Sequence, residues 1–292
     1  MESERFTQKV QRLIDRHPVG WFGRFAQVCG EAIHYVDGGS GPALLLIHGF
    51  FAWSFTWRRN LPVLAREFRC FAPDLRGWGL SQRWPSGGLT LDDQADMLAA
   101  FMSSQGVERA ALVGHSMGGE VALRLALRHP ERVSGLVLVA PSALIQRRRA
   151  PLERYCLGLP ILGPLLVRGA VLNRRFAARS LREGYHLADR VTSDAVEGYH
   201  LPARLAGSAR TLLAVLRAAD FGASAPRLPE IEHRSLIVWG ENDPWVPVSH
   251  ATQLAKRLKN SRLVVFPECG HLPHEEHPDQ FHDLILPFLR SL

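Results

Sequence analysis

The amino-acid sequence predicts an α/β fold, with a mainly parallel central sheet, helices on both faces and an inserted helical cap. Three observations carry that prediction. Short, almost continuously apolar runs alternate with stretches of helical periodicity, as expected for strands buried on both faces of a parallel sheet. One such run leads through Gly114-His115-Ser116-Met117-Gly118-Gly119 into a helical pattern, a serine set between glycines at a sharp strand-to-helix bend. From 141 to 229 the alternation stops, giving way to helical patterns, recurrent prolines and glycines, and many arginines.

Taken in order, Phe6, Val10, Leu13 and Ile14 share one helical face and His17-Pro18 ends it, predicting an accessory helix over 1–20. Strands are predicted at 24–29, 32–36 and 43–47, with the turn cluster 37–42 before the third and His48-Gly49-Phe50-Phe51 after it. A helix over 57–66, a strand over 69–72 and the loop 73–81 follow. Thr90 caps a helix whose apolar positions Leu91, Ala95, Leu98, Phe101 and Met102 run to Gly106. Residues 110–113 form the strand before Ser116. After it, Met117, Val121, Ala122, Leu125 and Ala126 recur at helical spacing, with Glu120, Arg124 and Arg128 in a polar stripe, until Pro130. Further strands fall at 133–139, 236–239 and 263–266. The core thus comprises 21–140 and 230–292, and the cap 141–229, placed over the carboxyl ends of the strands where such sheets bind ligands.

Composition bounds the function. Over 292 residues, 46% hydrophobic and 22% charged content describes a globular chain rather than a disordered one. The net charge of +7 is moderately basic, and no nucleic-acid-binding motif accompanies it, so no nucleic-acid partner is expected. The apolar run 157–172 is broken by Pro160, Pro164 and Arg168 and is too short to span a bilayer comfortably. With Arg147, Arg148, Arg149, Arg174 and Arg175 around it, it reads as a lid wall, with weak membrane-surface contact through the basic cap as a further expectation. Cys29, Cys70, Cys156 and Cys269 are far apart and are expected as reduced thiols. The first ten residues carry no apolar signal region, which points to a cytoplasmic location.

The chemistry centres on Ser116. A serine hydroxyl is a poor nucleophile near neutral pH and needs a base to take its proton. His271, in the loop after the last strand, is placed for that work. The imidazole in turn needs an acceptor to fix its tautomer, and Asp243, in the loop after the preceding strand, is placed to supply it, with Glu241 as the competing carboxylate. His271, His274 and His277 stand near Glu275 and Glu276, but no metal site is expected, because His271 has this other role. No nucleotide-binding glycine loop is present, and no cofactor is expected.

The order Ser116, Asp243, His271, with a Gly-x-Ser-x-Gly turn and strand-helix alternation, resembles the α/β-hydrolase fold family over residues 24–290. The resemblance implies an oxyanion hole from the backbone amides of Phe50, after His-Gly, and Met117, after the nucleophile. It also implies substrate contacts from Phe51, Trp53, Trp78 and Trp245, beside Phe50 and Met117, and aromatic walls favour apolar substrates. Ser116 argues against the epoxide hydrolases and haloalkane dehalogenases of this fold, which use aspartate there. Carbon-carbon bond hydrolases share the serine but often carry Asn before it, where this chain has His115. Cofactor-free perhydrolases share His-Gly-Phe and Gly-His-Ser-Met-Gly but usually have compact caps. The leading expectation is therefore a cofactor-independent serine hydrolase, carboxylesterase- or lipase-like, cleaving a small-molecule ester with an apolar acyl part. The alternatives are a carbon-carbon bond hydrolase of a vinylogous diketone, a perhydrolase, or a non-catalytic receptor on the same fold.

Overall fold

The computed structural model describes residues 23–83, 87–145 and 162–292. The expected helix over 1–20, Arg147, Arg148, Arg149, Cys156 and the first part of the run 157–172 lie outside the described residues. Eight strands are assigned: β1 (Arg24–Val28), β2 (Glu31–Gly38), β3 (Ala43–Ile47), β4 (Arg69–Pro73), β5 (Ala110–His115), β6 (Val133–Val139), β7 (Ser235–Gly240) and β8 (Ser261–Phe266). They form one sheet in the order β1-β2-β4-β3-β5-β6-β7-β8. The β1–β2 and β2–β4 pairs are antiparallel and every other pair is parallel.

The continuous apolar runs are explained by burial on both faces. Side chains alternate across a strand, and here they alternate between two separate cores. Leu45, Ile47, Leu112, Leu136 and Leu138 enter one, while Leu44, Leu46, Val113, Val137 and Val139 enter the other. The first core is closed by α2 (Leu91–Ser104), α3 (Met117–Arg128) and α8 (Ser249–Arg257). The second is closed by α1 (Leu61–Leu64) and α9 (Pro278–Arg290), the latter through Phe281, Ile285 and Leu289. Thr90 caps α2 as expected. Its hydroxyl accepts from the Asp93 amide at 3.1 Å, and its own amide donates to the Asp93 carboxylate at 2.8 Å.

The helix expected over 57–66 is not formed as one element. Pro62 lacks an amide hydrogen and suits only a first helical turn. The chain accordingly makes a 3-10 turn at Ser54–Trp57 and begins α1 only at Leu61. Between β6 and β7 the described residues contain no strand. They hold α4 (Leu162–Ala170), α5 (Arg174–Gly184), α6 (Ser193–His200) and α7 (Ser208–Ala218) as a helical cap. Ala178, Leu181, Tyr185 and Val196 of this region pack against Leu272, next to His271. Leu212, Leu213 and Val215 join the core cluster that contains Trp78 and Met117, which seats the cap at the strand ends.

Candidate active site

Strand β5 runs to His115, so the chain turns within the single residue Ser116 before α3 begins. Ser116 adopts φ 51° and ψ −118°, a conformation that L residues rarely take. The turn is held by the backbone. The Ser116 amide donates to Val139 O at 2.9 Å, and its carbonyl accepts from the Gly119 and Ser142 amides at 3.0 and 3.1 Å. Both flanking glycines are sterically required. A Cβ on Gly114 would lie 2.5 Å from Gly118 O, and one on Gly118 would collide with the carbonyl oxygens of Ile47 and His48. Although Ser116 occupies the N-cap position of α3, its side chain makes no capping hydrogen bond and instead lines a cavity. A helix-capping role, the plain alternative for such a serine, is therefore not what the geometry shows.

Asp243 and His271 reach the same end of the sheet from the loops after β7 and β8. Asp243 Oδ1 accepts from the Trp245 and Val246 amides, each at 2.9 Å, which leaves Oδ2 to receive the His271 Nδ1 proton at 2.6 Å. Both side chains are buried in this pair. The bond fixes the tautomer and leaves Nε2 as the nitrogen able to exchange a proton on the cavity side. The competing Glu241 is exposed, and its amide is engaged with Phe266 O. His271 is also held through its own backbone: its amide donates to Gly184 O of the cap at 2.7 Å, and its carbonyl accepts from His115 Nε2 at 3.0 Å. Burial, with His271 and His274 nearby, lowers the His115 pKa far below the usual imidazole range, so that ring is neutral.

Phe50 follows β3 in the turn beside Ser116. His48 Nδ1 donates to Gly49 O at 2.9 Å, and His48 Nε2 accepts the Leu75 amide at 2.9 Å, so His48 is a neutral brace for that turn. Burial lowers its pKa against the opposing pull of Asp74. Met117 is the first residue of α3, where leading amides have no partner within the helix and favour negative charge. Its side chain is in the core and does not face the cavity.

The cavity is about 420 Å³, the size of a small-molecule site. Ser116, His271, Phe50, Phe51, Trp53, Trp78 and Trp245 all line it. Trp53 is buried with its indole donating to Gly198 O at 2.9 Å, so it also braces the cap. Trp245 is 43% exposed and lies edge-on to the His271 ring at 5.0 Å, marking the rim. Lining residues not anticipated from the sequence include Phe176, Leu181, Tyr199 and Leu212 from the cap, and Arg83 and His115 from the core. The cap side chains were detectable only as apolar helical positions, which report burial without saying against what.

Asp74, in the loop 73–81, is fully buried and accepts from the Ser54 and Leu80 amides at 2.7 Å and from His34 Nδ1 at 2.8 Å, a structural role. Burial alone would raise its pKa, but His34 and these donors hold it below the usual value. His274 bonds Thr56 Oγ1 at 2.8 Å and packs on Trp57. Among the described residues no cluster of three or more ligating side chains could hold a metal.

Residues 42–278 match the model of the alpha/beta hydrolase fold family. The chain belongs to the α/β-hydrolase fold family. This hydrolase is an enzyme of the serine-hydrolase type. It is 31% identical over 274 residues to a 2-hydroxy-6-oxo-6-phenylhexa-2,4-dienoate hydrolase of Burkholderia cepacia, covering 89% of this chain and 91% of that one. It is 30% identical over 276 residues to a 2-hydroxy-6-oxononadienedioate/2-hydroxy-6-oxononatrienedioate hydrolase of Comamonas testosteroni, with the same coverages. The solved structure of a meta-cleavage product hydrolase from Pseudomonas fluorescens superposes with a TM-score of 0.79 over 92% of this chain and 98% of that one; at 24% identity it supports the fold alone. These relatives overturn the ester-cleaving activity expected from the sequence, because the compounds they are named for carry a 6-oxo-dienoate and no ester. The physical reason is that a nucleophile, a base and two amides serve acyl transfer generally. They specify the attacked carbonyl and not the group that leaves it.

Proposed function

We propose that this hydrolase cleaves a carbon-carbon bond in a vinylogous diketone of the 2-hydroxy-6-oxo-dienoate class. The observation that carries the reading is the likeness to two dienoate hydrolases across about nine-tenths of each chain. The site supports it, with Ser116 and His271 on one enclosed cavity and Asp243 on the histidine.

The difficulty in such a reaction is the leaving group, since a carbanion at C5 is far too basic to depart unaided. Transfer of the 2-hydroxyl proton to C5 gives the 2-oxo-3-ene form, in which C5 is conjugated through C3=C4 to a carbonyl. Ser116 Oγ then attacks C6 as His271 Nε2 takes its proton. The oxyanion on C6 is held by the Phe50 and Met117 amides. As the C5–C6 bond breaks, its electron pair enters the dienolate, which is protonated on oxygen to the 2-hydroxydienoate. Water, deprotonated by His271, releases the carboxylic acid from Ser116. The cycle consumes one water and forms one acid and one 2-hydroxydienoate. Asp243 orients His271 and stabilises its charged form. Phe50, Phe51, Trp78 and Phe176 give the acyl side an aromatic wall. His115, neutral and held to the histidine loop, replaces the asparagine frequent in enzymes of this activity.

Acyl trapping tests the reading. After a rapid quench with the 6-phenyl dienoate, the peptide containing Ser116 should carry a benzoyl group, and Ser116→Ala should reduce turnover about 10⁴-fold while the protein stays folded. Unchanged turnover in that variant would refute the assignment of Ser116.

A further inference from the structure

Two charged residues line the cavity outside the reaction steps: Glu183, half-exposed and paired with Arg179 at 2.6 Å, and Arg83, which is buried. Among the described residues, Arg83 is the single lysine or arginine lining it, and only 5% of its surface is exposed. Its contacts are all neutral oxygens. Nη1 donates to Trp78 O at 3.2 Å and Ser81 O at 2.8 Å, Nη2 to Gly79 O at 2.6 Å, and Nε to Ser208 Oγ at 3.1 Å. The remaining Nη2 contact, to Pro202 O, is 3.4 Å, beyond the ordinary range. Asp74 is the acid that acts on Arg83 through space, but its oxygens are occupied by His34, Ser54 and Leu80. The guanidinium is thus buried with no carboxylate of the described residues bonded to it, an arrangement that is costly until an anion arrives. Burial pulls its pKa down to about 10, so it is still charged at neutral pH. Trp78, whose carbonyl it holds, packs on Phe50 at 4.9 Å, which places Arg83 one ring away from the turn beside Ser116.

We propose that Arg83 forms the carboxylate-binding end of the cavity, so that the enzyme selects acidic substrates held with the carboxylate at Arg83 and the scissile carbonyl at Ser116. The position of the scissile bond rests on the carbon-carbon reading above; the preference for an anion does not. An incoming carboxylate oxygen takes the Nη2 proton now stretched toward Pro202 O. Ser208 Oγ, which accepts from Arg83 and donates to Pro202 O at 2.9 Å, lines the same wall. Positive charge in a low-dielectric wall acts strongly on an anion there.

The probes are hexa-2,4-dienoate and its uncharged amide, compared for protection of Ser116 against a fluorophosphonate label, alongside turnover of the 6-phenyl dienoate. The wild type should be protected by the acid at a concentration at least tenfold lower than by the amide. Arg83→Gln should abolish that difference and leave amide protection within about twofold, whereas Arg83→Lys, which keeps the charge, should retain most of it. Equal protection in the wild type, or a preference that survives in a folded Arg83→Gln, overturns the proposal. If Arg83→Gln does not fold, the wild-type comparison and Arg83→Lys decide it, and loss of the preference in a folded lysine variant counts against it. Acid preference without dienoate turnover would refute the carbon-carbon reading and leave the Arg83 pole standing; turnover without acid preference would do the reverse.

Discussion

The two walls of the cavity are built by different physics. The part of the core wall around Ser116 is set by backbone: a strand end, a positive-φ serine, glycines with no room for a Cβ, and the first amide of a helix. The cap wall is set by side chains, with Phe176, Leu181, Tyr199 and Leu212 presented by α5, α6 and α7. On the reaction proposed above, one wall fixes what is attacked, and the other shapes what can enter. His271 joins them, bonded to Asp243 on the core side and to Gly184 O on the cap side. The cap end of α5 is thus part of the support of the histidine loop, and a change there should reach the chemistry.

The largest effect expected from this contrast is at Gly118. Gly118→Ala drives a Cβ into the Ile47 and His48 carbonyls, which are backbone and cannot swing aside. It should destabilise the fold by roughly 2–4 kcal/mol and abolish Ser116 labelling, as read from chemical denaturation and labelling rate. A comparable labelling rate in the variant would show that the turn is less constrained than its contacts indicate.

Next is Gly184→Ala. Its Cβ would lie 2.7 Å from the Trp245 ring and 3.0 Å from Leu272 Cδ1, displacing side chains around His271 rather than the nucleophile. We expect kcat to fall about tenfold, KM to change less than threefold and stability to shift little. If KM rises with kcat unchanged, the cap would be shaping binding alone.

A pH effect separates the walls at their root. Glu120 on α3 accepts from Gly222 N at 2.8 Å, Ser142 Oγ at 3.2 Å and Arg124 Nη2 at 3.1 Å, tying the nucleophile helix to both ends of the cap. Burial raises its pKa to about 7 against the pull of Arg124. Because the folded value exceeds the unfolded one, the folded state binds more protons between them. The Glu120 contribution is therefore present below about pH 4.5 and is lost as pH rises through about 7. Glu120→Gln should flatten the stability profile over that window by up to about 3 kcal/mol, measured by denaturation at successive pH values. A slope unchanged by the substitution would assign the pH dependence to other groups.

The smallest effect should come from the cap wall itself. Phe176 packs on Phe51 at 5.6 Å, and Phe176→Ala should change the relative kcat/KM for bulky and small acyl groups about three- to tenfold without altering the Ser116 labelling rate. A loss of labelling would mean that the two walls are not separable.

What could be read from the sequence follows the same division. Ser116, Asp243 and His271 were legible because strand ends and glycine turns leave short-range marks, and the structure brings all three to one end of the sheet. The helix expected over 57–66 was misread because apolar periodicity outweighed the single constraint of Pro62. The cap lining was legible only in part: Val171 and Leu172, from the apolar run read as a lid wall, line the cavity, but a stripe such as that of α5 does not say whether it faces core or cavity. Arg83 was hidden for a related reason: a lone arginine in a loop reads as a solvated charge until tertiary packing buries it. The bond cleaved was misassigned because leaving-group chemistry has no motif in the nucleophile turn.

The most direct test is a mass balance on 2-hydroxy-6-oxo-6-phenylhexa-2,4-dienoate, following loss of the dienoate by absorbance and both products by mass spectrometry. The account predicts one benzoate and one 2-hydroxypenta-2,4-dienoate for each substrate consumed by the wild type, and neither from Ser116→Ala. A wild-type enzyme whose Ser116 reacts with a fluorophosphonate but which leaves the dienoate intact would contradict it.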